Sequence, residues 1–275
     1  MHFKKFIAPS LIIALLLILY IPVFRWLISS WLNNPYYNHG FLIPLVSGFF
    51  IWRNWDSMKP VKPSNSGMVV LALGAFAYII GFLWLIRFAS ALSLIIILSG
   101  LVIYFYGTRA IRLMAFPLGF LVFMIPPPFQ ADLLYWLQRI SINYSASLLE
   151  LTGFTITTSG SEITLRDNTF TIGLPCSGMS SVVALLALAA VFTYLLTGSF
   201  YKRAALFIAA FPIAIISNIL RITSIILMAD YHNVDFATGF YHDISSLIFF
   251  FMAFLFLVLC SRIMRCRLIV SSQKE

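Results

Sequence analysis

Long apolar runs separated by short polar breaks make up most of this chain. They fall at residues 6–28, 41–52, 67–86, 88–106, 113–125, 176–196, 204–229 and 244–261. Most approach the ~20 residues that a helix needs to cross a bilayer, and 41–52 lies near the lower limit. The first run follows Lys4 and Lys5 but is too long for a signal peptide and lacks a small-residue cleavage site, so it reads as a retained span. The pattern predicts an all-α integral membrane protein with about eight transmembrane helices, forming a single polytopic domain over 1–275.

Between the fifth and sixth runs the periodicity changes. Residues 127–174 form an insert without spanning hydrophobicity, entered through Pro126, Pro127 and Pro128. Phe129, Leu133, Leu137, Ile140, Tyr144 and Leu148 recur at three- and four-residue steps, with Asp132, Gln138, Asn143 and Glu150 elsewhere. That spacing predicts an amphipathic helix along the membrane surface. Beyond Phe154 the pattern becomes a Thr-rich alternation, broken at Ser159-Gly160-Ser161 and Asp167-Asn168. Short extracytoplasmic strands are expected there.

Composition agrees with the pattern. The chain is 61% hydrophobic and 10% charged, with mean hydropathy +0.97. A soluble domain would carry about 25% charged residues. The net charge of +9 is scattered in short clusters between apolar runs, which argues against a nucleic-acid surface. With both termini in the cytoplasm, 13 of the 18 Lys and Arg residues fall inside and only Arg25, Arg87, Arg139 and Arg166 outside. This is the bias of cytoplasmic loops, and it assigns the protein to the cell membrane. Three cysteines without paired spacing argue against a zinc site or disulfide scaffold, and no metal or cofactor is called for.

The eighteenth basic residue, Arg221, falls within the seventh run. At that depth an arginine costs about 2.5–3.5 kcal/mol by insertion scales, so it either snorkels, pairs with Asp230, or serves a site facing the bundle. Asn218 lies one turn earlier, and Thr223 and Ser224 add hydrogen-bonding capacity. In the orientation above, Cys176 opens the sixth run at its outer end and His242 precedes the eighth, so all three can line one outward-facing cavity. Pro175 suits a first turn, and Gly178 permits close approach of another backbone. A cysteine at a helix start is expected to have a lowered pKa. The implied chemistry is thiol acyl transfer: Cys176 as nucleophile, His242 as general acid and base, and Arg221 holding substrate or oxyanion.

These residues sit in motifs that resemble the exosortase/archaeosortase family of multi-pass membrane cysteine transpeptidases. The motifs are Pro175-Cys176-Ser177-Gly178-Met179-Ser180-Ser181, the stretch from Pro212 to Arg221, Gly239-Phe240-Tyr241-His242-Asp243, and Asn38-His39-Gly40-Phe41-Leu42-Ile43-Pro44. In that family the nucleophilic Cys, the Arg and the His correspond to Cys176, Arg221 and His242. The resemblance implies cleavage of secreted proteins bearing a C-terminal motif, transmembrane helix and basic tail, with transfer to an acceptor. It also brings in His39. Leu174 or Pro175, Met179 or Ser180, and Ser245 or Ser246 stand where the family commonly has other residues, which bears on subfamily and substrate motif.

Competing readings attach to the same residues. Ser177 beside Gly178 suits an intramembrane serine hydrolase, and Arg221 with Asn218 suits a transporter's anion site, although no repeated halves are visible. Asp243 can orient His242 only if two adjacent side chains meet. His232, near Asp230 and Asp235, reads as a solvated loop residue, and Cys260 and Cys266 fall at the cytoplasmic end.

Overall fold

The apolar runs become helices in the computed structural model, which describes residues 11–268 apart from 13, 59–63 and 166–167. Lys4, Lys5, Lys59, Lys62, Arg166, Asp167 and Lys274 lie outside the described residues, so part of the second expected strand turn does too. Among the described residues, four helical segments are long and apolar enough to cross a membrane: Asn65–Leu83, Arg87–Met124, Phe200–Tyr231 and Val234–Ile263. Those four segments take in five of the eight expected spans, because the runs at 88–106 and 113–125 share one of them. The runs expected at 6–28, 41–52 and 176–196 overlap the helices Ile21–Asn33, Leu42–Asn54 and Met179–Tyr194, of 13, 13 and 16 residues.

The chain divides into two compact units, Met1–Pro128 and Phe129–Glu275. In the first, helices α1 (Ile21–Asn33), α2 (Leu42–Asn54), α3 (Asn65–Leu83) and α4 (Arg87–Phe120) follow one another. The runs at 88–106 and 113–125 join in α4 at Gly107, which is non-helical with φ 79° and ψ 175°. Helices α3 and α4 form an antiparallel hairpin closed by glycines at every seventh residue. A Cβ at Gly67 would strike Tyr104, one at Gly74 would strike Ile97, and one at Gly81 would strike Ser90. Small residues let helix backbones approach where lipid supplies no hydrophobic drive. Pro117 within α4 cannot donate to the Leu113 carbonyl, and the Asn54 amide donates to that oxygen instead, at 3.1 Å.

The second unit starts with α5 (Gln130–Leu151) and a three-stranded antiparallel sheet of β1 (Ile156–Ser159), β2 (Glu162–Leu165) and β3 (Asn168–Thr171). Then come α6 (Met179–Tyr194), α7 (Phe200–Tyr231) and α8 (His242–Ile263), with two-residue strands β4 (Leu196–Thr197) and β5 (Arg267–Leu268) pairing near the end. The expected helix and strands are therefore present, but α5 buries a different face from the one anticipated. Leu134, Leu137, Gln138, Ser141, Ile142, Ser145, Ala146 and Leu149 are buried, while Phe129 and Tyr144 are exposed. The stripe that packs mixes Leu and Ile with small and polar residues, and Ser145 on it donates to the Ile219 carbonyl of α7 at 3.1 Å. One core joins α5, the sheet and α7 through Ile142, Leu149, Ile163, Leu165, Phe170 and Ile226.

Candidate active site

A 3-10 turn at Leu174–Ser177 carries Cys176, and Gly178 ends it with φ 85°, a left-handed conformation that costs glycine little. The next helix, α6, starts from that glycine. No Cβ fits there either, because the Asn218 amide lies against it. Asn218 Nδ2 donates to the Cys176 carbonyl at 3.1 Å and to Ser141 Oγ at 2.9 Å. One amide on α7 thereby ties the cysteine turn to α5. Its Oδ1 is buried without a hydrogen-bond partner among the described residues.

Cys176, Arg221 and His242 come together at one atom. Nε2 of His242 lies 3.2 Å from Cys176 Sγ and 3.1 Å from an Arg221 Nη2. The same Nη2 donates to the His242 carbonyl at 3.3 Å, and Arg221 Nε approaches Ser245 Oγ at 3.4 Å. Ser245 Oγ in turn donates to the His242 carbonyl at 2.9 Å. Arg221 is only 5% exposed, so it does not snorkel outward; its guanidinium turns to α8. On the other side of the ring, Nδ1 lies 3.1 Å from Asp243 Oδ1. Adjacent side chains meet here because His242 is the first residue of α8, and Asp243, 85% exposed, bends back along the surface.

Burial and charge act in opposite directions on the thiol. Cys176 precedes α6 rather than lying within it, and burial pushes its thiol up, with the Arg221 charge opposing. This corrects the expectation of a lowered pKa: desolvation of the thiolate outweighs the cation beside it. A cavity of about 260 Å³ opens onto Cys176 and His242, bounded also by β3 residues and by Ile222 and Ile226 of α7.

The remaining candidates are placed differently. Ser177 is buried, and its Oγ accepts the Met179 N–H at 3.3 Å. Thr223 and Ser224 donate to the carbonyls of Ile219 and Arg221 within their own helix, so they add nothing to the site. His39 belongs to the first unit, where it stacks on Tyr37; its Nε2 is buried without a partner among the described residues, and burial pushes its pKa down. His232 packs against the rings of Tyr231 and Phe236, and among the described residues no group of three His, Cys, Asp or Glu side chains could hold a metal ion. Two residues to which the sequence reading gave no part in the site matter to the geometry. Ser141 was hidden on the unexpected face of α5. Ser245, three residues after His242, is one helical turn along the same face, a spacing that could have flagged it.

Among known proteins, a family model described as transmembrane exosortase matches residues 31–259, most of the chain. No curated protein and no solved structure matches it.

Proposed function

We propose, since this chain belongs to the transmembrane exosortase family, that it is a membrane-embedded cysteine transpeptidase or endopeptidase acting through a thioester on Cys176. Its substrates are secreted proteins with a C-terminal sorting signal, read as motif, transmembrane helix and basic tail. The charge distribution supports eight crossings with both termini in the cytoplasm and the site facing outward. The observation that carries the reading is the convergence of a thiol and a guanidinium on the same imidazole nitrogen.

With Nδ1–H donating to Asp243, Nε2 of a neutral His242 is left as an acceptor. A guanidinium keeps its protons, so of the two groups facing Nε2 only the thiol can give one up. Cys176 passes its proton to Nε2 as sulfur attacks the scissile carbonyl. Once that nitrogen is protonated it no longer accepts from Arg221, whose freed Nη2 donor serves the oxyanion. His242 then protonates the departing amine, and the acyl group stays on sulfur as a thioester. An incoming water, amine or hydroxyl loses its proton to His242 and attacks, returning the thiol. Ser245 positions both partners, since it bonds Arg221 Nε and the His242 carbonyl.

The serine-hydrolase reading is not favoured, because the Ser177 hydroxyl is taken up by its own turn. A transporter would not need a thiol at 3.2 Å from an imidazole. The direct test compares Cys176→Ala with Ser177→Ala on a co-expressed tailed protein. Cleavage of the tail should fall by at least about 10³-fold in the cysteine variant at normal membrane abundance, in the range set by losing a covalent nucleophile. Loss in the serine variant alone would reverse the assignment.

A further inference from the structure

The cavity at Cys176 touches Thr169, Phe170, Thr171 and Ile172, four residues in succession. Side chains alternate across a strand, and here Phe170 and Ile172 are buried while Thr169 and Thr171 are exposed. A cavity that meets all four therefore runs along the edge of the strand rather than over one of its faces. Strand β3 is such an edge, since the sheet order is β1-β2-β3 and among the described residues β3 pairs only with β2.

The register says which main-chain groups face the cavity. Ile172 donates its N–H to the Ser161 carbonyl at 2.8 Å, and Phe170 stands opposite Ile163. In an antiparallel ladder the bonded pairs alternate, so Ile172 and Phe170 turn their backbone toward β2. Thr169 and Thr171 then turn theirs outward, and among the described residues nothing takes up those groups. Gln138 Nε2 holds the Ile172 carbonyl at 2.6 Å, fixing the end of the strand four residues before Cys176. The free edge thus leads to the sulfur.

We propose that the segment of the sorting tail around the scissile bond binds as an added strand along β3, main chain to main chain, which delivers its carbonyl to Cys176. The proposal rests on the reading of Cys176 as the nucleophile. At about 3.3 Å per residue the four-residue edge engages roughly three or four residues of tail. Recognition by an edge comes from backbone bonds, with alternate side chains selected by pockets. One set of tail side chains meets the apolar wall at Ile222 and Ile226, and the other points away from it.

The test uses the full-length chain in detergent and a tetra-alanine peptide, N-acetylated and ending in a vinyl sulfone, as the probe. Its labelling rate at Cys176 is read by mass spectrometry against iodoacetamide, which needs no strand. Thr171→Pro removes one outward N–H and blocks the edge, a substitution that edge strands tolerate. It should lower the peptide rate, relative to iodoacetamide, by about tenfold. Thr158→Pro, the matching position on the opposite edge in β1, should leave it unchanged. With the unmodified protein, N-methylation of alternate probe amides should cost about three- to tenfold and of the intervening amides less than twofold. The second arm holds even if the proline variant fails to fold. Strand addition is overturned if Cys176 is labelled preferentially but the ratio ignores both proline and N-methylation. If neither reagent prefers Cys176 over Cys260 and Cys266, the nucleophile reading itself falls, and strand addition with it.

Discussion

Two antiparallel helix pairs in this molecule solve the problem of packing in lipid by opposite means. In the first unit, α3 and α4 meet over Gly67, Gly74 and Gly81, with backbone so close that no side chain fits between. In the second, α7 and α8 meet over Arg221, His242 and Ser245, linked by hydrogen bonds of 3.1–3.4 Å. Glycine contact needs nothing beyond the helices themselves. A buried guanidinium carries a desolvation cost that packing alone does not require, and its position marks where chemistry is placed. On the proposed function, the first pair is scaffold and the second is machinery.

That contrast predicts how each pair fails. The largest effect is expected at His242→Ala, which removes the proton carrier beside the thiol. Tail cleavage should fall by about 10²–10⁴-fold, the usual span for general acid–base catalysis, while membrane abundance by immunoblot stays near normal. Arg221→Lys should follow, with a loss of about 10²-fold or more, because a point charge cannot face Nε2, the His242 carbonyl and Ser245 together. Retained activity there would reduce Arg221 to charge balance. Gly74→Leu should act in the other way, by overpacking against Ile97 at about 1–3 kcal/mol. Abundance and thermal stability should drop, yet each surviving molecule should keep its iodoacetamide reactivity at Cys176. A selective loss of activity at full stability in that variant would erase the distinction between scaffold and machinery.

Much of the second pair was legible in the sequence. Arg221 is conspicuous because arginine is expensive inside an apolar run, and the expected orientation put Cys176 and His242 at one end of the bundle, where the structure brings them to 3.2 Å. The Thr-rich alternation of 154–173 announced the sheet. What escaped is instructive in physical terms. The stripe on α5 was read from Phe129, Leu133, Leu137, Ile140, Tyr144 and Leu148. Of these Leu137 is fully buried and Phe129 and Tyr144 are exposed, since in lipid large apolar side chains are as comfortable outside as inside. The buried face is marked instead by Ser141 and Ser145, small residues with hydroxyls that reach α7. The same inversion explains the glycines at 67, 74 and 81, whose seven-residue spacing was visible but is not an apolar signal. Asp243 was named as a possible support for His242, and the side-chain divergence that counted against it inside a helix does not bind the helix's first residue.

The central claim is that an acyl group passes through the sulfur of Cys176. Acid quenching of the enzyme during turnover of a co-expressed tailed protein, followed by peptide mass spectrometry, tests it most directly. The account predicts the N-terminal fragment of that protein attached to Cys176 and released by hydroxylamine, as a thioester would be. An adduct on Ser177, or continued cleavage by a Cys176→Ala enzyme, would contradict it.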